Sequence, residues 1–118
     1  MPTKDPFYEQ YAVMCKTIVN PIRLKIIDVI GDKEMNVSEI KDQLDISMSN
    51  LSNHLAALHR VGVIRRVKKG SFIYYSLAEK DLLDALARLR AAIASMASKQ
   101  NKMMMQSKLI TGDTNGKI

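Results

Sequence analysis

Residues 47–55 read SMSNLSNHL: three serines, two asparagines and a histidine around two leucines, without a charged side chain. Ser and Asn compete with the backbone for hydrogen bonds, so helix propensity does not account for their number. What they share is recognition chemistry. A hydroxyl donates or accepts, and an Asn amide does both side by side, as an adenine edge requires. At about 100° per residue, Met48, Leu51, Leu55 and Leu58 fall on one side of a helix. Ser49, Ser52, Asn53, Ala56 and Arg60 fall on the other. The leucines seat the helix, and the short polar groups face outward.

The charge lies just beyond them. From Ile46 to Ala78 there is no Asp or Glu, whereas Arg60, Arg65, Arg66, Lys68 and Lys69 are all basic. This segment therefore carries +5 of the net +6, leaving 13 basic against 12 acidic residues for the rest of the chain. A solvated face normally mixes signs. A one-signed segment beside an uncharged polar helix face is the footprint of a surface for a polyanion.

Other chemistries fit poorly. One cysteine permits no internal disulfide and no multi-cysteine metal cage, which suits a reducing compartment. No apolar run approaches the roughly 18 residues needed to span a bilayer. The start, MPTKDPFYEQ, lacks the apolar stretch of a signal peptide, so a soluble cytoplasmic protein without membrane partners is expected. Neither a Gly-rich phosphate loop nor a nucleophile in a catalytic motif occurs, so neither an enzyme nor a cofactor is expected. His54 and His59 would stand about 140° apart on a helix and cannot chelate one ion. His54 is expected to make a structural hydrogen bond and His59 to be exposed.

The elements that must position these groups follow from periodicity. Asp5-Pro6 opens a first helix, with Phe7, Tyr11, Met14 and Ile18 at helical spacing. Asn20-Pro21 starts a second, with Ile22, Ile26, Ile27 and Ile30 as its buried stripe and Gly31 as its stop. Asn36 and Glu39 have capping-box spacing for a short third helix, and Ser47 starts the polar fourth. Two short helices joined by a tight turn form a helix-turn-helix. The runs VIRRV and FIYYSL around KKGS then read as a hairpin. A long last helix follows, with a seam through Leu82, Leu86, Leu89, Ile93, Met96 and Met103 that calls for a partner helix. The 118 residues suit one domain, at 1–105, with a disordered polar tail at 106–118.

These residues resemble the ArsR/SmtB group of small winged-helix repressors over roughly residues 7–100. The likeness is carried by NPIRLKIIDVI, by SMSNLSNHLAALHRVGVI and by GSFIYYSL. Its most specific part is L-S-x-H-L-x-x-L-x-x-x-G-V-I, from Leu51 to Ile64. The resemblance implies a mostly α fold with a small β-hairpin, a winged helix-turn-helix, and a homodimer through the first and last helices. It implies double-stranded DNA as partner, a recognition helix in the major groove, a wing on the backbone, and repression relieved by an effector. The family's reading positions fall on Met48, Ser49, Ser52 and Asn53. Met48 departs from the polar residue common there and offers only apolar contact, such as to a thymine methyl.

The likeness stops short of a metal sensor. Where some members carry Cys-x-Cys, this chain has NVSEIKDQLD, and the positions of the other ligand set hold Glu79, Asp81, Ala92 and Ser95. Two carboxylates without an imidazole do not form the site zinc prefers, so no metal is expected. Met103, Met104 and Met105 offer soft thioethers such as copper(I) takes, but consecutive residues point different ways on a helix, so they read as seam and helix end. Cys15 shares an apolar stripe with Tyr8 and Val19 and is expected as a small buried side chain. The alternative is a redox-sensitive thiol at a dimer interface, and the effector stays unidentified. Two rival readings are a winged helix for protein–protein assembly and a non-specific DNA binder. The first needs no hydroxyl- and amide-lined helix beside five cations. The second needs no uncharged reading face.

Overall fold

The structure is a computed structural model that describes residues 5–111, with side chains to Met104. Its elements run α1 (Pro6–Ile18), α2 (Pro21–Ile30), β1 (Met35–Asn36), α3 (Val37–Asp42), α4 (Met48–Arg60), β2 (Ile64–Lys69), β3 (Phe72–Leu77) and α5 (Asp81–Thr111). Two compact units are distinguished, one up to Leu83 and one from Asp84 onward.

Each helix of the first unit begins where its cap dictates. The Asp5 carboxylate accepts from the Phe7 amide at 2.9 Å, and the Asn20 side chain accepts from Ile22 and Arg23. Asn36 and Glu39 complete a reciprocal capping box, and Ser47 Oγ accepts from the Asn50 amide. These side chains satisfy backbone N–H groups that a helix start leaves without partners. Gly31 ends α2 with φ of 55°, which a residue bearing a Cβ adopts only with strain.

The core is mostly aliphatic, with Tyr75 among its buried residues. Ile26, Ile27 and Ile30 of α2 meet Ile40 of α3, Leu51, Leu55 and Leu58 of α4, and Ile64 and Leu77 of the hairpin. No polar or charged side chain is buried among the described residues.

The hairpin gains a third strand that the sequence did not announce. β1 pairs with β3 through Met35–Tyr75 and Asn36–Tyr74, giving an antiparallel sheet in the order β1-β3-β2. Two residues have no periodicity to read. Their pairing is imposed by the otherwise open edge of β3.

Two expectations about apolar stripes need correction. Of α1, only Ile18 is buried, while Phe7, Tyr8, Tyr11, Val13 and Val19 are exposed. Cys15 is accordingly exposed and is not a core residue. The helical spacing of the stripe holds, but these side chains are exposed. Met48, expected on the leucine side of α4, is 43% exposed because it precedes the first turn that reaches the core.

In the second unit, α5 keeps a helical backbone to Thr111. The first six residues of the expected tail are thus helical, and 112–118 lie outside the described residues. Leu89, Ile93, Met96 and Met103 of its seam are exposed. No helix among the described residues is long and apolar enough to cross a membrane.

Candidate nucleic-acid interface

α4 is held from behind and open in front. Leu51, Leu55 and Leu58 are at most 1% exposed, which fixes the helix against α2, α1 and β2. That leaves Ser49, Ser52, Asn53, Ala56 and Arg60 exposed on the far side, as the periodicity requires. Met48 joins this outer surface. All four expected reading positions are therefore accessible on one helix.

The wing divides the basic run that the sequence shows as continuous. Register pairs Arg66 with Tyr75 and Lys68 with Ile73, whereas Arg65 faces Ser76 and Lys69 faces Phe72. Directly paired residues share a sheet face and successive residues alternate. Arg66 and Lys68 thus lie on one face, and Arg65 and Lys69 on the other. The two strands turn at Gly70-Ser71, with Gly70 at φ of 64°. A glycine in the first loop position with positive φ suits a tight turn whose twist matches the strands.

Between α4 and the wing runs an open groove of about 770 Å³. It is lined by Ser52, Ala56 and Arg60 of α4, by Arg66, Phe72 and Ile73 of the wing, and by residues at the start of α3. Three of the expected site residues, Ser52, Arg60 and Arg66, meet here. Met48, Ser49, Asn53, Arg65, Lys68 and Lys69 do not line it. Sequence reasoning missed His59, Ser71 and Ser38, which do. Ser71 carried a signal as the residue after the turn glycine, whereas nothing in the spacing linked Ser38 to α4.

Lys69 also departs from expectation. It forms an ion pair with Glu34, which precedes β1, and lies 5.6 Å from the centre of the Tyr74 ring. The acid-free run from Ile46 to Ala78 holds along the chain but not in space, because β1 brings Glu34 to the wing. The charge of Lys69 is partly offset, and Arg60, Arg65, Arg66 and Lys68 dominate the surface.

Behind the reading face, His54 makes the structural hydrogen bond expected of it. Its Nδ1 accepts from Arg23 Nε at 3.1 Å. An accepting Nδ1 puts the ring proton on Nε2 and leaves the imidazole neutral. Burial lowers the His54 pKa below its usual 6.5, and the nearby Arg23 cation lowers it further. His59 is exposed. Among the described residues, no three His, Cys, Asp or Glu side chains are grouped as metal ligands.

Comparison with known proteins agrees with this geometry. A helix-turn-helix domain family matches residues 18–67. The HTH-type transcriptional regulator Rv0081 of Mycobacterium tuberculosis is 30% identical over 95 residues, covering 80% of this chain and 83% of that protein. The transcriptional activator HlyU of Vibrio cholerae is 35% identical, with coverage of 65% and 74%. The transcriptional repressor SdpR of Bacillus subtilis is 38% identical, with coverage of 60% and 79%. The crystal structure of Rv0081 superposes with a TM-score of 0.74 at 30% identity, over 82% of this chain and 98% of that one. The homodimeric winged helix-turn-helix domain of Mb0332 from Mycobacterium bovis, described as a possible ArsR-family regulator, gives 0.62 at 25% identity, over 87% and 95%.

Proposed function

This chain belongs to the ArsR/SmtB group of winged helix-turn-helix transcriptional regulators, and from that premise we propose a homodimeric repressor that reads a pseudo-palindromic operator with α4. The chain is a DNA-binding regulator, as its relatives are. The finer reading concerns residues. Ser49, Ser52 and Asn53 read base edges, and Met48 contacts an apolar base group. Arg60, Arg65, Arg66 and Lys68 neutralise phosphates, with Lys69 in a lesser part.

One observation carries this reading. The outward face of α4 beside the cationic wing presents the hydroxyls of Ser49 and Ser52 and the amide of Asn53, with Arg60 as its one charged residue. Non-specific binding needs only charge. A polar, neutral surface framed by cations suits recognition of sequence. The exposed stripes on α1 and α5 support the homodimer, since each is a long apolar seam that stays exposed among the described residues. Repression follows the named repressors among the relatives. Cys15, the sole thiol, stands on the α1 stripe and is the residue through which an oxidant or electrophile would act on such a dimer.

The test is selection of random DNA fragments on the purified protein, followed by affinity measurements. A pseudo-palindromic consensus is expected. Asn53→Ala should cost about 1–3 kcal/mol on that consensus and little on random DNA. Arg66→Ala should weaken both and reduce the salt slope by about one. Equal losses on both DNAs for Asn53→Ala would remove the reading role from this face.

A further inference from the structure

Arg23 stands where its own helix does not favour it. It is the third residue of α2, and a cation in a first turn opposes the helix dipole. A residue that breaks a local rule calls for a compensating partner. Arg23 has two. Its Nε donates to His54 Nδ1 in α4 at 3.1 Å, and its Nη1 donates to the carbonyl of Thr17 in the last turn of α1 at 3.0 Å.

The second bond satisfies a carbonyl at the end of α1. A helix leaves its last carbonyls without intrahelical donors. Here Cys15 O accepts from the Val19 amide and Ile18 O from the Asn20 amide, each at 2.8 Å. Thr17 O takes the guanidinium. A cation there meets the negative end of the α1 dipole, so the charge disfavoured in α2 is favoured by its neighbour. The planar guanidinium fixes both directions at once, which a flexible ammonium does not do.

The far end of this link is one residue from Asn53 and two from Ser52. We propose that Arg23 is a positioning residue for DNA recognition, tying the end of α1 to the middle of α4. The link fixes the angle between the exposed α1 seam and the Ser52–Asn53 face. In a dimer joined through that seam, this angle sets how far apart, and in what rotational phase, the two reading helices reach the duplex. Arg23 touches no base and acts only through His54 and Thr17. The inference rests on the sequence-specific dimer proposed above.

Four variants test it: Arg23→Gln, His54→Phe, their combination, and His54→Asn, whose amide oxygen can replace Nδ1 as acceptor. Each is measured on the selected operator, on random DNA, and on operators with the half-sites moved by one base pair in either direction. Arg23→Gln and His54→Phe should each lower operator affinity about tenfold, the scale of one charge-assisted hydrogen bond. Random-DNA affinity and salt slope should stay unchanged, and the altered spacings should be discriminated less. The double variant should be no worse than either single one, and His54→Asn should retain most of the affinity. A salt slope reduced by about one in Arg23→Gln would overturn the proposal, since Arg23 would then touch phosphate directly. So would an unchanged operator affinity accompanied by a lower melting temperature, which marks a plain structural bond. If Arg23→Gln does not fold, His54→Phe against His54→Asn decides the matter alone. Loss of selectivity in the wild type would instead remove the regulator reading, and the positioning role with it.

Discussion

Lys68 and Lys69 are neighbours in the chain but part company in the sheet. Lys69 is tied to Glu34 across to the start of β1, whereas Lys68 shares a face with Arg66. An exposed ion pair contributes little to stability, but the carboxylate offsets part of the charge a phosphate would meet. Lys69→Ala should therefore weaken DNA binding less than Lys68→Ala, and Glu34→Gln should strengthen it; affinities across a salt series check the order. His54 leads to a prediction of opposite origin. Its folded pKa lies below the usual 6.5 because of burial, and then of Arg23, so the unfolded chain binds its proton first as pH falls. Stability from this group is complete above pH 6.5 and is lost as pH drops from there toward the lower folded value. Protonation also removes the acceptor that Arg23 uses. Denaturant unfolding at a series of pH values should show this acid-side decline, and His54→Asn should flatten it.

At the scale of elements, the caps carry the most weight for their size. Asn36 serves twice, as half of the capping box of α3 and as a residue of β1. Asn36→Ala should cost about 0.5–2 kcal/mol by loss of the cap. Hydrogen exchange should locate that loss at both β1 and the start of α3. The helices and the hairpin were legible because their signals are local. Asn20-Pro21, Asn36 with Glu39, Ser47, and the glycine between two β-rich runs each act within a few residues. β1 was not legible, since its two residues are a strand only by virtue of β3. The outward Ser and Asn of α4 could be read from helical periodicity, and so could the buried leucines. The division of the basic run between two sheet faces needed the register. The Lys69–Glu34 pair needed a contact across 35 positions of chain. Periodicity also cannot say whether a stripe is covered by its own chain, so the helical spacing around Cys15 suggests a burial that the fold does not provide.

For the whole molecule, uncovered apolar surface decides the assembly. Phe7 and Met103 are 66% and 69% exposed, and they belong to two separate seams. Water-facing seams of this length are removed by association, each buried methylene contributing about 0.8 kcal/mol. Light scattering should give a dimer at micromolar concentration. Replacing Tyr11 and Ile93 together by Glu should yield monomers that have lost operator affinity but keep their weak attraction to random DNA. The intact dimer should place two reading helices roughly 34 Å apart, one turn of the duplex. A monomer that bound the operator with full affinity would sink this assembly.

The short strand β1 has a thermodynamic consequence. An isolated two-stranded hairpin is barely stable in water and would have to be ordered at the moment it met the duplex. Three strands and the Lys69–Glu34 tie give the wing its shape beforehand. The entropy of ordering that arm is thus lost once, during folding, and is not subtracted from each binding event. On the proposed reading the wing meets DNA already ordered, and a regulator built this way can bind and leave repeatedly without refolding its grip.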